Sequence, residues 1–382
     1  MKYLFYLGIG VLILFEIANV YFIMPMPGSQ RMRSIDVAYF LYTWRWVFRG
    51  VALLLIVVGL RSAYRAARWG VVGGVVAALA VAYAFNFRMA ADVMFYQPHE
   101  LSMLPASQSV VEPEKLVLGV AIDGQAKAYP IQYIGYHHQV VDSLAGKPII
   151  VTYCTVCRTG RIFEPRVNGQ PETFRLVGMD HFNAMFEDAT TRSWWRQVNG
   201  EAIAGTLKGQ QLPEVPSQQM TLRQWLALYP HSQVMQPDSA FGDIYKKMEP
   251  YETGGGSSAL TKRDSTSWQE KSWVVGVQEG TLSKAYDWNE LVEARSINDQ
   301  LGSKAVAVVL AADNQSFFAF IRPDRTQPLS IQNDTLWYQN QPYSLLGAPL
   351  RGGAAPLQPL RAYQEFWHSW RTFHPTTEVY KN

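Results

Sequence analysis

Apolar positions run unbroken through the first quarter of the chain and then give way to short alternating stretches. Residues 3–24 are apolar with Glu16 their only charge, which matches the roughly 20 residues a helix needs to cross a hydrocarbon core. Two further runs, at about 46–60 and 70–87, predict a second and a third transmembrane helix. Before the second run Tyr42, Trp44 and Trp46 suit a membrane interface, with Arg45 and Arg49 snorkelling towards headgroups. Residues 1–90 therefore read as a membrane anchor. From about Met94 the pattern changes to strands of four to eight residues broken by turns. Residues 117–122, 149–153, 174–177, 305–310, 316–321 and 335–338 are the clearest, rich in β-branched and aromatic side chains that pack on a pleated surface.

The same pattern returns within the chain. Leu118-Gly119-Val120 is answered by Val275-Gly276-Val277, and Lys127-Ala128-Tyr129 by Lys284-Ala285-Tyr286, at a spacing of 284 − 127 = 157. Asp142 meets Asp299 and Lys147 meets Lys304 at that spacing, while two amphipathic helical stretches around Trp225 and Trp370 correspond at 145. A repeat this long is a domain-scale duplication rather than a solenoid, whose units run about 20–50 residues. The expected fold is therefore a set of N-terminal transmembrane helices plus an α+β, β-rich soluble region of two tandem homologous halves. The first half spans 94–237, a Gly-Ser-rich join spans 238–271, and the second, degenerate half spans 272–382. Within the join, residues 254–258 predict a flexible loop.

Composition narrows the function classes. Net charge is only +3 and no dense basic face appears, so nucleic acid is not an expected partner. The membrane is one, with an unidentified protein partner as a second expectation. The loop RSAYRAAR at 61–68 carries three Arg and no acid, which keeps it cytoplasmic. That orientation predicts a multi-pass protein of the inner membrane with everything after Arg88 extracytoplasmic, although Arg31 and Arg33 pull the other way. Glu16 reads equally as a proton or ligand site and as a helix-interface partner of Arg45.

Chemistry concentrates in KPIIVTYCTVCRTGRIFE, which holds both cysteines, Cys154 and Cys157. They fall on a predicted strand-to-strand turn in the first half, where the second half has Ala311 and Asn314. His138 and His137 likewise stand opposite Arg295 and Ala294. Positions that both halves share read as fold-makers, and those peculiar to the first half as candidates for chemistry. Cys154, Cys157, His138 and His181 make a soft-to-borderline donor set, suited to copper or zinc and compatible with iron, for metal handling or electron transfer. A thiol–disulfide oxidoreductase using the same pair, with Arg158 favouring a thiolate, is the main alternative. A non-catalytic assembly module clipped by a structural disulfide is the third. Each histidine alone is more commonly a hydrogen-bonded residue between strands. Trp194, Trp195, Phe182 and Phe186 would form an aromatic wall or simply core, and Asp180, Glu187 and Asp188 read as the source of a carboxylate pair or, more commonly for acids beside strand ends, as solvated. No nucleotide cofactor is expected, and Arg158 stands where covalent haem attachment needs a histidine.

Tyr153, Cys154, Cys157, Thr159 and Gly160 resemble the Tyr-Cys-Pro-x-Cys-x-Thr-Gly signature of the bacterial and archaeal family catalogued as domain of unknown function 3179, with Thr155 in place of proline. His138, Val141 and, one residue early, Asp142 are similar to its upstream His-x-x-Val-x-Asp segment. Ser193 with Trp195, and Gly200 to Gly205, match its downstream runs. The resemblance covers about residues 116–382 and implies the fold and a thiol site, without a reaction.

Overall fold

The computed structural model describes residues 1–256 and 258–381. It opens with α1 (Lys2–Tyr21), α2 (Ile35–Thr43), α3 (Arg45–Ala66) and α4 (Arg68–Tyr83), the last extended by a π turn over Ala84–Arg88. Three of these segments, Lys2–Tyr21, Arg45–Ala66 and Arg68–Arg88, are long and apolar enough to cross a membrane. Next come β1 (Leu116–Ile122), β2 (Gln125–Pro130), α5 (Ile131–His137), β3 (Gln139–Leu144), β4 (Lys147–Cys154) and β5 (Thr159–Phe163). A meander of β6 (Phe174–Asp180), β7 (Asn183–Asp188), β8 (Trp194–Arg196) and β9 (Ala202–Ala204) follows. The chain continues through β10 (Ser217–Thr221), α6 (Leu222–Leu228), β11 (Gln233–Met235) and α7 (Gly242–Glu252). It ends with β12 (Trp273–Glu279), β13 (Leu282–Asp287), α8 (Trp288–Ala294), β14 (Ser296–Leu301), β15 (Lys304–Leu310), β16 (Phe317–Ile321), β17 (Arg361–Phe366), α9 (Trp367–Phe373) and β18 (Glu378–Val379).

These elements form two compact units. Unit one comprises Met1–Tyr96 and Glu172–Gln211, so the β6–β9 meander belongs with the apolar helices. Its strands lie in the order β9-β8-β7-β6. Val177, Met185, Trp194 and Ile203 form one cluster with Ala38 of α2, against Phe22, Ile23 and Tyr39. Gly178 fixes the approach: a Cβ there would stand 2.3 Å from Ile23 O, and Met179 N–H donates to that oxygen at 2.7 Å. Glu16 pairs with Arg49 at 2.7 Å and accepts from Asn86 at 2.8 Å. Its partner is thus Arg49, one helical turn beyond the expected Arg45, and Arg49 closes a buried polar contact rather than reaching for headgroups. A carboxylate on an otherwise apolar helix is stabilised by such a network. Glu187 and Asp188 are buried too, accepting from the indoles of Trp194 at 3.1 Å and Trp195 at 2.9 Å. The expectation of solvated acids fails here because these strand-end carboxylates point inward, where indole donors satisfy them.

Unit two comprises Gln97–Pro171 and Leu212–Asn382. Its first set of elements, β1 to β5, recurs as β12 to β16 in the same order, and the starts of β1 and β12 are 273 − 116 = 157 residues apart. Strands β10 and β17, helices α6 and α9, and strands β11 and β18 follow in both sets; the two helices start 367 − 222 = 145 residues apart. The sheets also agree over four strands, β11-β2-β1-β10 against β18-β13-β12-β17, with β11–β2 and β18–β13 parallel, and Met103–Pro105 adds a fifth strand outside β11 in the first sheet. In each sheet a tryptophan lies flat on a glycine. A Cβ on Gly119 would meet the Trp225 ring at 2.3 Å, and one on Gly276 the Trp370 ring at 2.2 Å. The indole N–H groups donate to Ser232 at 2.8 Å and to Thr377 at 2.9 Å.

The segment 238–271, expected as a join, is ordered around α7. Tyr245 and Tyr251 are buried, and Gln132 donates to Tyr245 O at 2.8 Å. Burial of Tyr245 and Tyr251, not the Gly-Ser stretch beside them, decides the conformation of α7. Ser257, part of the predicted flexible loop, lies outside the described residues.

Candidate functional site

The cysteines sit where expected, on the turn between β4 and β5. Tyr153 pairs with Gly160 and Cys154 with Thr159 across the hairpin, and Arg158 takes a left-handed conformation (φ 57°) at its end. Both side chains are free thiols and both are fully buried. The Cys157 thiol is pushed well above its ordinary range, first by burial, then by its hydrogen bond to Cys154 and the charge that sulfur can carry. Ser369 and the Lys271 ammonium act in the opposite direction.

The surroundings come from parts of the chain that the local motif does not announce. Phe366 N–H donates to Cys157 O at 2.9 Å, joining the turn to the residue that opens α9. Lys271 Nζ donates to Val156 O at 2.7 Å and stands 3.1 Å from His368 Nε2, which is itself 3.0 Å from Val156 O. The tautomer of His368 decides whether that nitrogen donates to the carbonyl or accepts from the lysine. Burial lowers the Lys271 pKa to about 8, against the pull of the nearby sulfurs. Burial and the lysine charge together lower His368 to about 3. Helix α7 covers the other side, where Tyr251 OH donates to Thr155 O at 3.0 Å.

Arg158 does not serve the thiols. Its buried guanidinium donates to Gln364 Oε1 at 2.8 Å and to Glu252 O at 3.0 Å, and lies 3.8 Å from the centre of the Trp273 ring. The cation of the site is Lys271. Neither Lys271 nor Ser369 is visible in the Cys-x-x-Cys motif, but His368 and Ser369 stand opposite Arg223 and Gln224 at the 145 spacing. Extending the comparison of the two halves from strands to closing helices would single both out.

His138 follows α5 in a left-handed conformation (φ 60°). Its Nδ1–H donates to Tyr153 O at 2.8 Å, and Tyr153 N–H donates back to His138 O at 3.0 Å. Burial lowers its pKa to about 4. His137 hydrogen-bonds Tyr245 OH at 2.6 Å. His181 belongs to unit one, in the two-residue β6–β7 turn with Phe182, both at positive φ, and bonds Asp180 at 2.7 Å. Among the described residues no three His, Cys, Asp or Glu side chains converge in a group able to hold a metal ion. A cavity of about 390 Å³ in unit two is lined by Trp225, Phe318 and Tyr363 among others, and neither cysteine is among its lining residues.

No curated protein and no solved structure matches the chain. Residues 98–377 match the family model described as "Protein of unknown function (DUF3179)", well over half of the sequence, and the chain belongs to that family.

Proposed function

We propose that this chain is a multi-pass inner-membrane protein whose extracytoplasmic part is two tandem homologous halves, the first of which carries a thiol–disulfide couple at Cys154 and Cys157. The observation behind this reading is the pair of fully buried free thiols on one turn, with the half-buried Lys271 ammonium donating at 2.7 Å to the carbonyl of Val156 between them. A nearby cation favours a thiolate, and a second thiol donating to it does the same. In the reducing direction Cys154 loses its proton and its thiolate attacks a partner disulfide. One partner sulfur leaves and takes up a proton. Cys157 then loses its proton and attacks Cys154 Sγ in the mixed disulfide, releasing the second partner sulfur as a thiol. Two electrons and two protons pass to the partner, and an internal S–S bond remains. Both sulfurs are buried, so exchange waits on local opening of the cover formed by α7 and α9.

A second reading draws on the same pair of thiols: Cu(I) in place of their protons, since soft thiolate ligands select that ion. Zinc and iron want further ligands, and among the described residues no group of three His, Cys, Asp or Glu side chains converges to supply them. The test uses the full-length protein in detergent, purified anaerobically, equilibrated in thiol–disulfide buffers and trapped by alkylation. The expected result is reversible cycling with a midpoint above the roughly −300 mV below which structural disulfides lie. Thiols that never oxidise, or a bond that never reduces, would exclude exchange. One Cu(I) per chain that disappears in the C154S/C157S double variant would transfer the assignment to copper. Extraction of membranes with carbonate tests insertion separately, and release of the protein into the supernatant would rule it out.

A further inference from the structure

Unit one contains a cavity of about 320 Å³ where α1 ends, α3 begins and the π turn follows α4. Four guanidinium groups line it, from Arg45, Arg49, Arg175 and Arg192. Arg49 pairs with Glu16 at 2.7 Å. Arg175 pairs with Glu187 at 2.9 Å and Asp92 at 3.0 Å, and Arg192 reaches Glu187 at 3.4 Å. Four cations therefore face three carboxylates, and among the described residues Arg45 has no acidic partner. Its guanidinium donates to Tyr42 O and lies 4.1 Å from the centre of the Tyr42 ring. Asn19, on the same wall, has a buried Oδ1 that no donor reaches. Val20, Ile23 and Val177 make the rest of that wall apolar.

We propose that this cavity holds the headgroup of an anionic phospholipid that also carries a hydrogen-bond donor, of the phosphatidylglycerol type. The phosphate suits Arg45, because an unmatched guanidinium in the first turn of a 22-residue helix adds its charge to the positive end of the helix dipole. A glycerol hydroxyl suits Asn19 Oδ1, which wants a donor and gains nothing from a phosphate oxygen. The apolar wall continues into the segments long enough to cross a bilayer, where the acyl chains would lie. A choline headgroup has neither the net charge nor the donor. This inference rests on the reading that the three helices span a membrane, which carbonate extraction tests on its own.

The experiment takes the full-length protein in mild detergent, strips bound lipid, and adds phosphatidylglycerol, phosphatidylcholine or inorganic phosphate in parallel. Native mass spectrometry counts retained lipid, and thermal unfolding reports stabilisation. The expected result is about one phosphatidylglycerol per chain, preferred about fivefold over phosphatidylcholine, as one extra cation near a bilayer surface implies. Arg45→Gln should abolish that preference. Equal retention of the two lipids by the wild-type protein overturns the proposal whether or not the variant folds. Full stabilisation by inorganic phosphate alone would make the cavity a soluble-anion site and overturn it too. A folded Arg45→Gln variant with undiminished preference would remove Arg45 from the assignment and with it the argument.

Discussion

The residues 116–163 and 273–321 of unit two differ most instructively at the position after their first helix. His138 and Arg295 both end a helix in the left-handed conformation, at φ 60° and 62°. The carbonyl of each accepts from the end of the next-but-one strand, Tyr153 N–H at 3.0 Å in one case and Leu310 N–H at 2.9 Å in the other. The side chains do parallel work as well: His138 donates to Tyr153 O, and Arg295 donates to Ala311 O. A residue peculiar to one half is therefore not by that fact chemical, because two different side chains can fasten the same hairpin. The thiols are another matter. Ala311 and Asn314 stand in their places and supply no equivalent group, so the comparison isolates Cys154 and Cys157 once the histidine is set aside. The exchange between halves is reciprocal. The first hairpin receives Phe366 N–H, and the second receives Thr221 N–H on Ser316 Oγ at 3.1 Å, each from the residue that opens the other half's closing helix.

Breaking the shared frame should produce the largest effect. Gly119→Ala and Gly276→Ala each force a methyl into a tryptophan ring and should cost about 3 kcal/mol apiece, read from denaturant unfolding. A loss confined to one of them would show that the two sheets are not equivalent. Acid should separate the halves next. His138 is held neutral with its pKa lowered to about 4 and an unfolded value near 6.5, so the unfolded chain binds the extra proton between these limits. Stability is full above about pH 6.5 and falls as pH drops towards about 4, by on the order of 3 kcal/mol. His138→Gln keeps a donor for Tyr153 O without titrating and should flatten much of that slope, His368 retaining its own share. An unchanged slope would place the acid sensitivity elsewhere.

The matched polar clusters come third. Asp142 accepts from Lys127 at 2.8 Å and Tyr129 at 2.7 Å, while Asp299 accepts from Lys284 at 2.7 Å and Tyr286 at 3.1 Å. Asp142→Asn and Asp299→Asn should each lose about 1–3 kcal/mol, and a ratio far from one in thermal melts would reveal unequal use of the two clusters. Least affected should be Lys147→Ala, whose ion pair with Asp123 is about half exposed on both sides. It should shift stability by less than about 0.5 kcal/mol, although Lys147 matches Lys304 at the repeat spacing. A larger loss would mean that even the surface positions of the repeat are structural.

Much of the frame was legible from local pattern. The apolar runs, the six strands and the strand-to-strand turn that carries the cysteines all follow from side-chain spacing and shape. What pattern could not carry was pairing between segments distant along the chain. The strands at 174–204 read like any others, yet Val177, Trp194 and Ile203 face helix α2. Lys271 fell at the end of the predicted join because nothing nearby in sequence shows that its ammonium lies over the face of Phe366, 4.6 Å from the ring centre. Arg158 looked available for the same reason: its neighbours in sequence are the cysteines, but its acceptors lie at 252 and 364.

The meander at 172–211 carries a consequence for how the protein can be taken apart. The backbone passes between the two units three times, after Tyr96, after Pro171 and after Gln211. A single protease nick at any of these passages leaves the units covalently joined through the other two. A fragment begun after the last apolar helix would still carry the meander, stripped of the helices that cover Val177, Met185 and Ile203. Releasing unit two cleanly takes a cut near residue 96 and excision of 172–211, with the ends at 171 and 212 rejoined.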